Sequence, residues 1–282
     1  MTHSRPVLVG ADGTGSAVRA VAWAAEEAGL RSCPLVIVCA GGATGNAARV
    51  LERARTIARA TADVDVRVEL WAGDPAEILT VRSLDADLLV VGCGAGRFDT
   101  PAPATVSRRA GCPVVAVRAA AGRPVPDRAR PIVVAVDGSP DSRAAVDLAA
   151  RIADERGSPL VAVHVWFESP AAAVRRLRHR EPEPGREAAE RLLGGCLAGQ
   201  ADRYPGLVVR REIVRGLPTW SLLERSDSAQ LMVVGRGGHG RRTPGRRTRA
   251  LLRGGVCPVA IACAGSPTQR SRPVLARVAR AG

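Results

Sequence analysis

Two glycine-rich stretches hold the residues best suited to chemistry. Gly92-Cys93-Gly94 runs on to Gly96 and Arg97, and Gly235-Arg236-Gly237-Gly238 runs on through His239 and Gly240 to Gly245, Arg246 and Arg247. Glycine lets backbone N–H groups approach phosphate oxygens, and a helix N-terminus behind the loop favours negative charge. Arginine adds a planar fork that matches phosphate geometry. Earlier in the chain, two Asp-Gly pairs, Asp12-Gly13 and Asp137-Gly138, are each followed by a hydroxyl residue, Thr14 or Ser139. The chemistry these types support is anion binding. Asp-Gly is also a common turn pair, so a purely structural role for Asp12 and Asp137 stays open.

Other chemistries are excluded by composition. All 41 of the Lys+Arg residues are Arg. No Walker lysine and no Schiff-base lysine can exist. No nucleophile–base–acid set is legible, so no enzymatic activity is expected. The seven Cys form no CxxC pair, and with four His they supply no zinc-ligand spacing. Most read as small buried hydrophobes in a reducing cytoplasm; Cys93, inside a glycine loop, is the one candidate reactive thiol. Aromatic residues make up 2%, which argues against base stacking on a sheet. No apolar run approaches the ~18–20 residues needed to cross a bilayer. Met1 to Arg5 shows no signal-peptide pattern, and a cytoplasmic location is expected.

The elements that must position these residues repeat. Val7-Leu8-Val9-Gly10-Ala11-Asp12-Gly13 returns as Val133-Val134-Ala135-Val136-Asp137-Gly138. Leu88-Leu89-Val90-Val91-Gly92 returns as Leu231-Met232-Val233-Val234-Gly235, and Gly111-Cys112-Pro113-Val114 as Val256-Cys257-Pro258-Val259. The offsets are 125, 143 and 145 residues, which places an insertion near residues 167–185. Apolar runs begin at Pro6, Leu35, Val66, Asp87 and Pro113, and again at Pro131, Pro159, Leu207, Gln230 and Pro258. Continuous Val/Ile/Leu runs suit strands buried on both faces of a parallel sheet. Helical patterns lie between them: 16–30 with Ser16 as cap, a start at Asp74-Pro75-Ala76-Glu77, then 141–156 and 187–203. The prediction is α/β, with two doubly wound domains over 1–120 and 131–265, a linker at 121–130 and a basic disordered tail at 266–282.

This ordered, twice-repeated set resembles the universal stress protein family in its tandem two-domain form. The carrying residues include Val9-Gly10-Ala11-Asp12-Gly13-Thr14, Ala22-Trp23-Ala24-Ala25-Glu26-Glu27-Ala28, Ala135-Val136-Asp137-Gly138-Ser139, His164-Val165-Trp166, Arg203-Tyr204-Pro205-Gly206, Val91-Gly92-Cys93 and the two Cys-Pro-Val strand starts. The resemblance covers nearly all of residues 5–265. It implies a flavodoxin-like, Rossmann-like fold of the adenine nucleotide alpha-hydrolase-like type, with five parallel strands per domain. Many members bind ATP, with magnesium able to accompany it, at the carboxyl ends of strands one and four. Their phosphate loop reads Gly-2x-Gly-9x-Gly-Ser/Thr, with an Asp near the ribose. Carried onto this chain, the resemblance implicates Gly10, Ala11, Asp12, Gly92, Gly94, Gly96, Arg97, Thr105 and Val106 in the first repeat. In the second it implicates Ala135, Asp137, Gly235, Gly237, Gly238, His239, Gly240, Gly245, Arg246 and Arg247. It also implies that the two halves pack as an intrachain pseudo-dimer, covering the edge strands at Pro113 and Pro258, or that chains pair as a homodimer.

Both loops depart from the family pattern. Gly92 and Gly94 are one residue apart instead of two. With nine residues between, Gly94 is followed by Ala104-Thr105: the hydroxyl is kept and the glycine lost. Pro101 and Pro103 remove two N–H donors, and the short span from Thr105 to Cys112 predicts a fourth helix about a turn short. In the second repeat, Gly238 is followed, with nine residues between, by Thr248-Arg249; alignment on the following helix instead puts Gly245-Arg246 at the Gly-Ser/Thr place. Either arginine replaces lost backbone donors in a working site, or the site has decayed on an intact fold. His164 and Trp166 fit a satisfied core or rim position better than an adenine contact, and Trp71 and Trp220 are expected to pack.

The +14 charge is uneven. Residues 1–120 hold 13 Arg against 12 acids, whereas 236–253 alone hold seven Arg and no acid. Three functions follow: a nucleotide-sensing stress-response protein, a partner-binding protein on the same fold without ligand, or a charge-driven nucleic-acid binder. The last lacks aromatic platforms and a binding motif.

Overall fold

The computed structural model of the chain describes residues 5–40, 45–94, 103–118, 129–167, 185–237, 244–262 and 277–281. It divides into two compact units, Met1–Arg123 with Pro258–Gly282, and Pro124–Cys257.

In the first unit the apolar runs become β1 (Val7–Gly10), β2 (Leu35–Ala40), β3 (Val66–Trp71), β4 (Leu88–Cys93) and β5 (Val114–Arg118). They lie parallel in the order β3-β2-β1-β4-β5, with Val7 facing Leu35 on one side and Leu88 on the other. The helices are α1 (Gly15–Leu30), α2 (Gly45–Thr61), α3 (Pro75–Arg82) and α4 (Pro103–Ser107). Alternate strand residues Leu8, Val36, Val38, Leu89, Val91 and Val114 cluster with Ile78, Leu79 and Val106 of α3 and α4. Residues between them, such as Val7, Val9, Ile37, Leu88 and Val90, are equally buried. Helices cover both faces, so no strand needs a polar alternation. Each fully buried Leu, Ile or Val contributes roughly 1.5–3 kcal/mol.

The helix starts follow from short polar side chains. Asp74 caps α3 by accepting the Glu77 N–H at 2.9 Å, as its spacing predicts. Thr14, rather than Ser16, caps α1: it holds extended backbone angles and its Oγ1 accepts the Ala17 N–H at 3.2 Å.

In the second unit, β6 (Ile132–Ala135), β7 (Leu160–Trp166), β8 (Val209–Arg215) and β9 (Leu231–Gly235) lie parallel in the order β9-β6-β7-β8. The helices are α5 (Pro140–Glu155), α6 (Arg186–Leu197), α7 (Gln200–Arg203), α8 (Pro218–Ser226) and α9 (Arg246–Gly254). The single helix expected over 187–203 is broken, because Gly199 sits at φ +77° between α6 and α7. The insertion predicted near 167–185 falls mostly outside the described residues.

The fifth strand of the second repeat, β10 (Val259–Ala262), groups with the first unit and pairs antiparallel with β5, Val259 facing Ala116. The two edges beginning at Pro113 and Pro258 thus cover each other. The last segment departs from expectation. Residues 277–281, read as part of a disordered tail, form β11 (Arg277–Ala281), antiparallel to β3. The physical reason is the exposed edge of β3: its unpaired N–H and C=O groups accept any extended backbone, with no apolar pattern required. Residues 266–276 lie outside the described residues. Among the described residues, no helix is long and apolar enough to cross a membrane.

Candidate functional site

In each unit the sheet order turns at the first strand of the repeat. β1 has β2 on one side and β4 on the other; β6 has β7 and β9. Such a switch point leaves a crevice outside the carboxyl ends of the strands. Of the described residues among those predicted, Gly10 and Ala135 end the first strand of each repeat, and Gly92 and Gly235 lie at the carboxyl ends of the neighbouring strands β4 and β9.

In the first unit, Gly10 ends β1, with Leu79 Cδ1 3.1 Å from where a Cβ would stand. Ala11 is buried, and its N–H donates to Val38 O at 2.8 Å. The Asp12 carboxylate accepts the Thr14 N–H at 2.9 Å and the Thr14 hydroxyl at 2.7 Å. Gly92 lies against the first turn of α1: a Cβ there would stand 2.8 Å from Ala17 N. Cys93 and Gly94 follow, both half-buried. Thr105 is exposed on the five-residue α4, and the Val106 side chain is buried in the core. So short a helix offers little dipole to an anion. Gly96 and Arg97 lie outside the described residues.

In the second unit, Ala135 ends β6, and Val136 N–H donates to Val163 O at 2.8 Å. His164 Nδ1 lies 2.8 Å from the Val136 carbonyl, to which it donates, so the ring is a satisfied rim group, as expected. Asp137 accepts the Ser139 N–H at 3.0 Å. Burial pushes the Asp137 carboxyl up, but hydrogen bonds from Ser139 and Ser142 and the charge of Arg247 outweigh it, and the carboxyl lies below its ordinary range. Asp137 therefore carries its charge at neutral pH.

Across the crevice stand β9 and α9. Gly245 is the N-cap of α9, its N–H donating to Arg236 O at 3.1 Å. Thr248 Oγ1 donates to Gly235 O at 3.2 Å, tying the helix to the end of β9. Arg246 and Arg247 occupy the first turn, both exposed, and Arg247 NH1 is 3.8 Å from Asp137 Oδ2. Gly237 N–H donates to Asp141 Oδ2 at 3.0 Å. The structure thus brings Asp137, Gly235, Gly237, Gly245 and Arg247 together, while Gly238, His239 and Gly240 lie outside the described residues. Two participants were not singled out in the sequence. Asp141 shows in the sequence only as a helix start, and Thr248, with nine residues between it and Gly238, is followed by Arg249 and does not match the family loop.

Residues 128–262 match the family model described as Universal stress protein family. Universal stress protein Rv2005c of Mycobacterium tuberculosis is 31% identical over 287 residues, covering 91% of this chain and 96% of that protein. The chain belongs to the universal stress protein family. A second relative from the same organism, universal stress protein Rv2623, is 34% identical over 264 residues and covers 83% of this chain and 87% of its own length. A universal stress protein from Archaeoglobus fulgidus superposes with a TM-score of 0.65 over 93% of this chain and 99% of that one, at 17% identity, which speaks to fold alone.

Within this universal stress protein the remaining candidates sort by burial. Trp71 packs as expected, donating to Glu69 Oε2 at 2.9 Å with Arg82 stacked 5.8 Å from its ring centroid. Trp220 does not pack: it is 67% exposed, because the first turn of α8 carries it away from the sheet. Cys33, Cys39, Cys112, Cys196 and Cys257 are buried; burial pushes the Cys257 thiol up to about 12, which makes it inert. Cys93 is half-buried. Among the described residues, no group of three His, Cys, Asp or Glu could hold a metal.

Proposed function

We propose that the second unit binds an adenine nucleotide, ATP or a relative of it, and that the protein signals by occupancy rather than by turnover. The observation that carries this is the placement of Arg247. It stands in the first turn of α9, where no side chain caps the helix and no acid offsets the dipole, and it reaches toward Asp137 across the crevice. A cation at a helix N-terminus is unfavourable by roughly 0.3–1 kcal/mol. The ion pair with Asp137 does not offset that reliably, since a half-exposed pair contributes about 0–1 kcal/mol. Two such arginines, 246 and 247, are poor choices for stability and good ones for a phosphate. Asp137 then faces the ribose and the ends of β6 and β9 the base.

Turnover finds no support in the hydroxyls that follow the Asp-Gly pairs. Thr14 and Ser139 are both engaged as helix caps, accepting from Ala17 N–H and Ser142 N–H. The first unit favours the other reading, a fold kept for its surface, because α4 is too short to hold an anion. A cytoplasmic location and pairing of the two repeats as a pseudo-dimer belong to the same proposal.

Replacing Arg246 and Arg247 together with Ala is the test. Loss of charge-assisted hydrogen bonds should weaken nucleotide binding by about tenfold to a hundredfold, read by thermal shift against nucleotide concentration. Unchanged affinity would reduce the cluster to a solvated surface. Retention on DNA that falls steeply with salt would favour the nucleic-acid alternative.

A further inference from the structure

We propose that Asp141 determines which nucleotide the second unit accepts: its carboxylate sits at the phosphate end of the crevice, so a nucleoside monophosphate is taken in preference to a triphosphate. The inference rests on the nucleotide reading above.

The two repeats supply the comparison. Asp12-Gly13-Thr14-Gly15-Ser16 aligns with Asp137-Gly138-Ser139-Pro140-Asp141. Packing confirms the register. A Cβ on Gly92 would stand 2.8 Å from the carbonyl carbon of Ser16, and a Cβ on Gly235 would stand 2.8 Å from that of Asp141. The same strand glycine therefore abuts the same helix residue in both units. In the first unit that residue is neutral: Ser16 is buried, with its Oγ 3.0 Å from Thr14 Oγ1. In the second it is a carboxylate, and Asp141 Oδ2 accepts the Gly237 N–H at 3.0 Å.

The consequence is electrostatic. Gly237 N–H belongs to the loop whose donors would face phosphate oxygens, and a carboxylate of the protein already holds it. Asp137, two residues before the N-cap of α5, faces Arg247 at 3.8 Å. A single phosphate can lie on Arg247 and the α9 N-terminus. A longer phosphate chain brings further negative charge toward the Asp141 carboxylate, and like charges repel. It must also displace Asp141 from Gly237 to reach that N–H.

Titration calorimetry on the full chain tests this, using AMP and ATP in EDTA so that no divalent cation neutralises the phosphates. Asp141→Ser installs the first repeat's residue. Asp141→Asn removes the charge while keeping an oxygen to accept the Gly237 N–H, which guards against misfolding. Wild-type protein should bind AMP more tightly than ATP, and both variants should raise ATP affinity by about tenfold while AMP affinity moves by less than about threefold. If both nucleotides bind and ATP gains nothing in either variant, the role of Asp141 is overturned and the nucleotide reading stands. If neither nucleotide binds wild type or variants, the nucleotide reading fails and this inference falls with it.

Discussion

Replacing Arg31 with Ala should destabilise the first unit by about 3–5 kcal/mol, the usual effect of breaking a buried ion pair from one side. Arg31 lies just past the end of α1 with its side chain 5% exposed. Its Nε donates to Glu27 Oε1 at 3.0 Å, and its NH1 group binds Asp87 at the head of β4. Glu27 is itself 1% exposed. Without the guanidinium, the Glu27 carboxylate would stay buried and lose the ion pair that offsets its desolvation. Removing both charges, by Glu27→Gln with Arg31→Met, should recover much of the loss, because the penalty comes from the orphaned charge more than from the missing attraction. The exposed pair Arg67–Asp65, with both side chains more than half exposed, is the internal contrast. Its removal should change stability by less than about 1 kcal/mol. Chemical denaturation followed by far-UV dichroism measures all three. An Arg31→Ala loss no larger than that of Arg67→Ala would show that the buried triad contributes nothing special.

Gly235→Ala carries the second large effect, and it separates packing from ligand chemistry. A Cβ at 235 would stand 2.8 Å from Asp141 C and 2.9 Å from Asp141 O. These are backbone atoms of the first turn of α5, so no side-chain rotation relieves the overlap. α5 must lift from β9, at a cost of roughly 1–3 kcal/mol or more. The lift also breaks the Asp141–Gly237 bond and widens the crevice. Gly245 is the control: among the described residues a Cβ there meets only Gly237 Cα at 4.0 Å, and its φ of −64° suits any residue. Gly245→Ala should fold as wild type. A thermal melt in which Gly235→Ala and Gly245→Ala coincide would mean that the close helix–strand approach is not needed. Gly92→Ala, against Ser16 and Ala17, should behave as Gly235→Ala does.

These glycines show where sequence reading succeeds and where it stops. Gly92 and Gly235 were legible as special because each closes an apolar run, but composition cannot tell a glycine kept for a phosphate from one kept for a neighbouring helix. The structure gives both a packing role whether or not a ligand binds. The strands were legible because Val, Ile and Leu run unbroken where helices cover both faces. β11 was not, because an edge strand is recruited through backbone groups that every residue carries. Asp141 was not, because the donor it satisfies is 96 positions away in sequence, on a loop whose own pattern contains no sign of a carboxylate. The cap of α1 was misplaced by two residues, since Thr14 and Ser16 are equally good capping types and only backbone angles decide between them. Trp220 reads as a packing residue near an element end; a helix start that leaves its ring in solvent cannot be read from its neighbours.

The central claim, a nucleotide crevice at the carboxyl ends of β6 and β9, is tested most directly by a crystal structure of the full chain soaked with AMP or ATP at millimolar concentration. The ribose should lie beside Asp137 and a phosphate should lie on Arg247 and the N-terminus of α9. A crevice that stays empty at that concentration, or a nucleotide bound away from both Asp137 and Arg247, would contradict it.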